Sequence, residues 1–241
     1  MDLKLKPFGK FFNRHWQKTR HHFRRLVKSV QNRYQELNEA AARQAAAPSP
    51  NAVKAETDTL MFEAKRFIAA GDLIAAEDKF LAAIKLDSKA VEAYRGLGRI
   101  YFEQGKLKQA KEVYEFILKL SPDDDRAYNR LGRLALASSE WERAAKYLEV
   151  AVKLNNQRAV RFFDLGRAYQ ALKKPAAALR NFAKAVQLEP NNAKYLDQLL
   201  EMSIIAGDSD LAQETYERLR LANPDNKKLS EFKQRIEEIV T

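Results

Sequence analysis

The 241-residue sequence predicts an all-α solenoid of five 34-residue helix-turn-helix units followed by a capping helix. Three observations carry that prediction. Set against itself at an offset of 34, the chain aligns over residues 57–226 without insertion or deletion. Small and large side chains recur at fixed positions of every unit. No segment shows the two-residue alternation of a half-buried strand.

The units are 57–90, 91–124, 125–158, 159–192 and 193–226. Position 20 is alanine in each: Ala76, Ala110, Ala144, Ala178 and Ala212. Position 8 is small in Ala64, Gly98, Gly132 and Gly166, with Leu200 as the exception. Position 4 is large (Leu60, Tyr94, Tyr128, Phe162, Leu196), and so is position 24 (Phe80, Tyr114, Leu148, Phe182, Tyr216). Antiparallel helices approach closely only where small side chains meet, which places positions 8 and 20 at the crossing. The large residues then act as knobs between helices. Pro122, Pro190 and Pro224 end second helices at position 32, and Asn191-Asn192 and Asp225-Asn226 are expected to cap the next helix. Gly71-Asp72 and Gly207-Asp208 supply a stop and a cap inside the hairpin. The segment 227–241 places Leu229, Phe232, Ile236 and Ile239 on one helical face, as a capping helix requires.

This set of residues resembles the tetratricopeptide repeat family, most closely in Ala93–Pro122, and the likeness covers about three quarters of the chain. The departures are concentrated in the end units: Glu63 at position 7, Leu200 at position 8 and Ser203 at position 11. Ala135 and Ser139 make the third unit poorer in aromatic residues, and Trp141 is expected to compensate. The resemblance implies a right-handed superhelix whose first helices line a concave groove, with positions 2, 5, 9, 12 and 13 facing a ligand. Position 9 then presents Lys65, Arg99, Arg133 and Arg167 before Glu201. Arg95 and Asn129 stand at position 5 and Arg126 and Lys194 at position 2, with Arg130 one step off that face. The family's carboxylate-clamp pattern is missing, so a chaperone tail is not the specific expectation. Guanidinium forks in such a row suit an acidic peptide, while Leu136, Ile204 and Ile205 would add an apolar end. The same arginines also read as a solvated or internally paired helix face.

The net charge of +11 is unevenly spread: residues 1–56 hold twelve Lys/Arg against four Asp/Glu. Within 1–39, Phe11, Phe12, Trp16 and Phe23 are interleaved with Arg20, Arg24 and Arg25. That pattern reads as a basic amphipathic segment lying on an anionic membrane surface or docking on an assembly, with nucleic acid as the less favoured partner. Segment 40–56, rich in Ala and Pro, reads as a linker. No apolar run reaches the ~18 residues of a spanning helix, and Lys4, Lys6, Lys10 and Arg14 break any signal-like run. A cytoplasmic protein, peripheral on a membrane, is the expected localisation. Zero cysteines exclude disulfides and thiolate metal sites.

Catalysis is not expected. The three histidines, His15, His21 and His22, lie in the tail without acidic partners, so no metal or cofactor is anticipated. Gly96 and Gly98 follow no strand and are not a phosphate loop. The expected function is a non-enzymatic scaffold binding a protein or peptide. An RNA-associated repeat protein, using tail and groove together, is the alternative.

Overall fold

The computed structural model describes residues 49–240, so Phe11, Phe12, Trp16, Arg20, Phe23, Arg24 and Arg25 lie outside the described residues. The described residues form eleven helices and no strand. These are α1 Pro50–Ala69, α2 Leu73–Leu86, α3 Val91–Glu103, α4 Leu107–Leu120, α5 Asp125–Ala137 and α6 Trp141–Leu154. They continue as α7 Ala159–Ala171, α8 Pro175–Leu188, α9 Ala193–Ala206, α10 Ser209–Ala222 and α11 Leu229–Val240. Helices α3, α5, α7 and α9 start 34 residues apart, as do α2, α4, α6, α8 and α10, matching the sequence period.

Helix α1 begins at Pro50, so the described end of segment 40–56 is helical where a linker was expected. The reason is local. Pro50 occupies the first helical position, where no N–H is needed, and the Ser49 hydroxyl accepts from Ala52 N at 3.2 Å.

The turn inside each hairpin is one motif used five times. Gly71, Gly105, Ser139, Lys173 and Gly207 all have φ between 56° and 81°. The N–H after each bonds back to a carbonyl five residues earlier, as in Lys106 N to Tyr101 O at 2.8 Å and Glu140 N to Ala135 O at 2.8 Å. Ser139 and Lys173 hold this left-handed conformation despite their Cβ atoms. Asp72 and Asp208 then cap α2 and α10 through their side chains, as anticipated. Asn192 stands at the N-cap of α9 but its side chain makes no capping bond: its amide donates to Glu189 at 2.9 Å instead. Asn226 does accept from Lys228 N at 3.0 Å.

Contacts divide the chain into two units, one ending at Ile100 and one beginning at Tyr101. In the first, α1 and α2 pair as a hairpin whose core holds Ala64, Ala76 and Phe80, and the Phe80 ring closes on Gly96. In the second, α5/α6, α7/α8 and α9/α10 are hairpins, joined through α4–α5, α6–α7 and α8–α9 contacts.

All five position-20 alanines are 0% exposed. The small position 8, however, makes room for position 24 rather than for position 20. A Cβ on Gly132 would lie 2.5 Å from Leu148, and one on Gly166 would lie 2.6 Å from Phe182. Helix α11 covers the last hairpin with buried Phe232 and Ile236. Arg235 fixes it by a two-pronged bond to Glu201 at 2.9 and 3.1 Å, and Lys228 by a pair with Asp197 at 3.3 Å. No described helix is long and apolar enough to cross a membrane.

Candidate binding face

The expected basic residues fall in both units. In the first, Lys65 on α1 and Arg99 on α3 are exposed, and Arg95 is half-buried in a pair with Glu92 one turn earlier. In the second, α5 carries exposed Arg126 and half-buried Asn129, Arg130 and Arg133, while α7 carries exposed Arg167.

What organises the second set is a residue that sequence reasoning missed, Asp164 on α7. Its side chain is only 7% exposed, with Arg133 Nε at 3.6 Å from one carboxylate oxygen and Arg167 Nη1 at 3.9 Å from the other. Burial pushes its carboxyl above the usual range, opposed in turn by the charges of Arg133, Arg167, Lys194 and Arg130. Four cations thus face one buried anion. Arg133 also lies 5.9 Å from the Phe102 ring centroid, and Lys194 Nζ lies 4.8 Å from that of Phe163. These aromatic faces hold the cationic heads against the helices while leaving their donors toward water.

Two polar atoms of this face are buried without a hydrogen-bond partner, Asp164 Oδ2 and Asn129 Nδ2. The arginine row is therefore partly an internally paired face, as the plainer reading of the sequence held. It also keeps surplus charge, because one carboxylate cannot neutralise four cations. Arg133 and Arg167 retain side-chain exposures of 40% and 51%, so their guanidinium forks are open to a second anion. Asp164 was illegible because a lone acidic residue at position 6 reads as surface charge. The available signal was Arg167 three residues on, with Arg133 one repeat back.

Of the apolar residues assigned to the groove, Leu136 is instead in the core, packed with Ala144, Ala145 and Leu148. Ile204 is half-buried and Ile205 is 54% exposed. Among the described residues, no three His, Asp or Glu side chains are placed to hold a metal ion.

Tetratricopeptide repeat models match residues 63–110, 100–159 and 159–192. The chain belongs to the tetratricopeptide repeat family. A comparison with curated proteins finds no match. Among solved structures, the chain is similar to MamA from Desulfovibrio magneticus RS-1, with 22% identity and a TM-score of 0.63 over 71% of this chain and 97% of that one. It is similar to YrrB, described as a TPR protein with an unusual peptide-binding site, with 21% identity and a TM-score of 0.61 over 83% and 97%. The pilF protein of Pseudomonas aeruginosa gives 19% identity and a TM-score of 0.69 over 78% and 86%. These likenesses show a shared repeat fold.

Proposed function

We propose that this tetratricopeptide repeat protein is a non-enzymatic interaction scaffold that takes an acidic, or mixed acidic and hydrophobic, peptide on its basic helix face. Repeats of this family serve as protein-interaction scaffolds, and YrrB offers a peptide-binding precedent on the same fold. The observation that carries the reading is the convergence of Arg130, Arg133, Arg167 and Lys194 on a single buried carboxylate. Asp164 orients the cations and leaves a net positive site, which a peptide carboxylate completes with charge-assisted bonds. The basic, aromatic segment 1–39 attaches the scaffold to an anionic membrane surface or to an assembly. Its support is the charge of +8 in residues 1–56 and the aromatic interleaving.

The test uses a fluorescein-labelled decapeptide of alternating Glu and Leu, titrated into the full chain. Exchanging Arg133 and Arg167 together for Gln should weaken binding more than tenfold, about 1.4 kcal/mol or more. The same exchange at Arg180 and Arg218, on α8 and α10, should change it little. Asp164→Asn removes the competing anion and should tighten binding. Equal affinity in all three variants would make the arginines a solvated face and sink the proposal.

A further inference from the structure

A second site lies away from the arginine face, between α4, α5 and α6, and the repeat itself explains its origin. It is a cleft of about 320 Å³ with buried Leu131, Leu134 and Ala135 as its floor and Leu107 as one wall. That size sits at the low end of the ~300–1,000 Å³ range of small-ligand pockets.

One repeat later the same place is full. Moving 34 residues on, Leu107 becomes Trp141, Leu131 becomes Leu165, Leu134 becomes Ala168, Ala135 becomes Tyr169 and Ser138 becomes Leu172. Those five residues pack together in one core cluster. The Tyr169 hydroxyl completes the arrangement by donating to Glu149 at 2.6 Å. In the third repeat the ring and the leucine are missing because Ala135 and Ser138 replace them. Trp141, expected to compensate, packs against the cluster that holds Leu165 and Ala168 and does not line the cleft.

The acceptor position has been kept although the tyrosine of position 11 has gone. Glu115 stands one repeat before Glu149, on α4, and interacts with Lys111, Arg143 and Tyr147, all three of which line the cleft. The lining carries Lys108, Lys111 and Arg143 against Glu140, a basic surplus around an apolar floor, with Tyr147 on α6 bonded to Arg143 at one side.

We infer that this cleft receives a tyrosine side chain from a partner protein, the phenol lying where Tyr169 lies one repeat later and its hydroxyl donating to Glu115. Acidic residues flanking that tyrosine meet Lys108 and Lys111. The basic rim disfavours this chain's own N-terminal segment as occupant, since residues 1–56 carry +8. The site is independent of the Asp164 face, so Arg133→Gln with Arg167→Gln should leave it intact.

The experiment titrates acetyl-Glu-Tyr-Glu-amide into the full chain with 13C-labelled alanine methyls. Saturable movement of the Ala135 methyl is expected, with Lys-Tyr-Lys binding at least fivefold more weakly. Replacing tyrosine by phenylalanine should cost several-fold in the native protein and little in Glu115→Gln. Ala135→Tyr fills the cleft and should abolish binding while raising the melting temperature. Should that variant misfold, Ser138→Leu tests the same occlusion by a smaller addition. The inference is overturned if the Ala135 methyl does not move, or if the filled variant binds as well as the native chain. It is overturned too if that methyl shifts on raising protein concentration alone, which would make a second copy the occupant. A shift on exchanging Phe11, Phe12 and Trp16 for Ser would assign the cleft to the chain's own tail and overturn it equally.

Discussion

The α6–α7 junction and the α4–α5 junction use the same positions of the repeat, yet the first is filled and the second open. At the first, Tyr169 and Leu172 pack against Trp141 and Val152. At the second, Ala135 and Ser138 leave a cleft. The difference extends to position 3. The first junction has Arg161, a 6%-exposed side chain paired with Asp125 and donating to Ala151 O at 3.2 Å and Asn155 O at 3.1 Å. The second has Ala127, buried and without a polar reach. Arg161 stands beside the one described inter-hairpin loop of this unit with Asn156 where Pro122 and Pro190 stand, so its bonds to the last turn of α6 and to the first loop carbonyl replace the stiffness of proline. A periodic backbone therefore tolerates unequal junctions.

The most damaging change should be Arg161→Met, which removes the lock from the filled junction. It removes the cation paired with the Asp125 carboxylate and one donor from each of two carbonyls, at a cost of about 3 kcal/mol. Chemical denaturation checks this. Although burial raises the Asp125 carboxyl, the hydrogen bond and charge of Arg161, with bonds from Asn155 and the Arg126 backbone, hold it below its ordinary value. A lowered folded-state pKa gives stability that is present above the ordinary carboxylate value and lost as pH falls through the folded one. The gap between native and Arg161→Met proteins should therefore be full at pH 7 and narrow as pH falls below the ordinary carboxylate value, about 4.

Tyr169→Ala should convert the filled junction into a copy of the open one. Tyr169 is half-buried and its hydroxyl is held by Glu149; burial, then that bond, pushes its pKa up to about 12. Losing ring and bond together should cost about 2 kcal/mol, less than a fully buried aromatic would. The variant should also gain a second binding event for the Glu-Tyr-Glu peptide at the α6–α7 junction. Unchanged stability would mean that the ring contributes little to holding the hairpins together.

Ser138→Leu should have the smallest effect and the opposite sign. It restores the residue found at Leu172 and covers part of the open cleft, adding up to about 1 kcal/mol of stability. Calorimetry would register it as a modest rise in melting temperature. A fall would show that the cleft walls have closed around serine and cannot admit the larger side chain.

Much of the fold is readable from the residues alone. The period of 34, the helix starts, the buried alanines and the terminal cap come from residues close in sequence, because helix periodicity and turn chemistry are local. Gly71 and Asp72 announced their turn; Ser139 and Lys173, in the same left-handed turn, did not, since nothing in their side chains demands it. The basic residues of the candidate face were legible by position, but their partner Asp164 was not. Its burial depends on α5 and α9 bringing Arg133 and Lys194 beside α7, and charge alone does not reveal which acidic residue a neighbouring helix will cover. The cleft was half legible. Ala135 showed that an aromatic was missing, but only packing could show that Trp141 does not line the space left open. Sequence determined the repeating unit because each helix is specified by its own residues. Tertiary structure decided the sites, because each is made from what one repeat offers and its neighbour lacks.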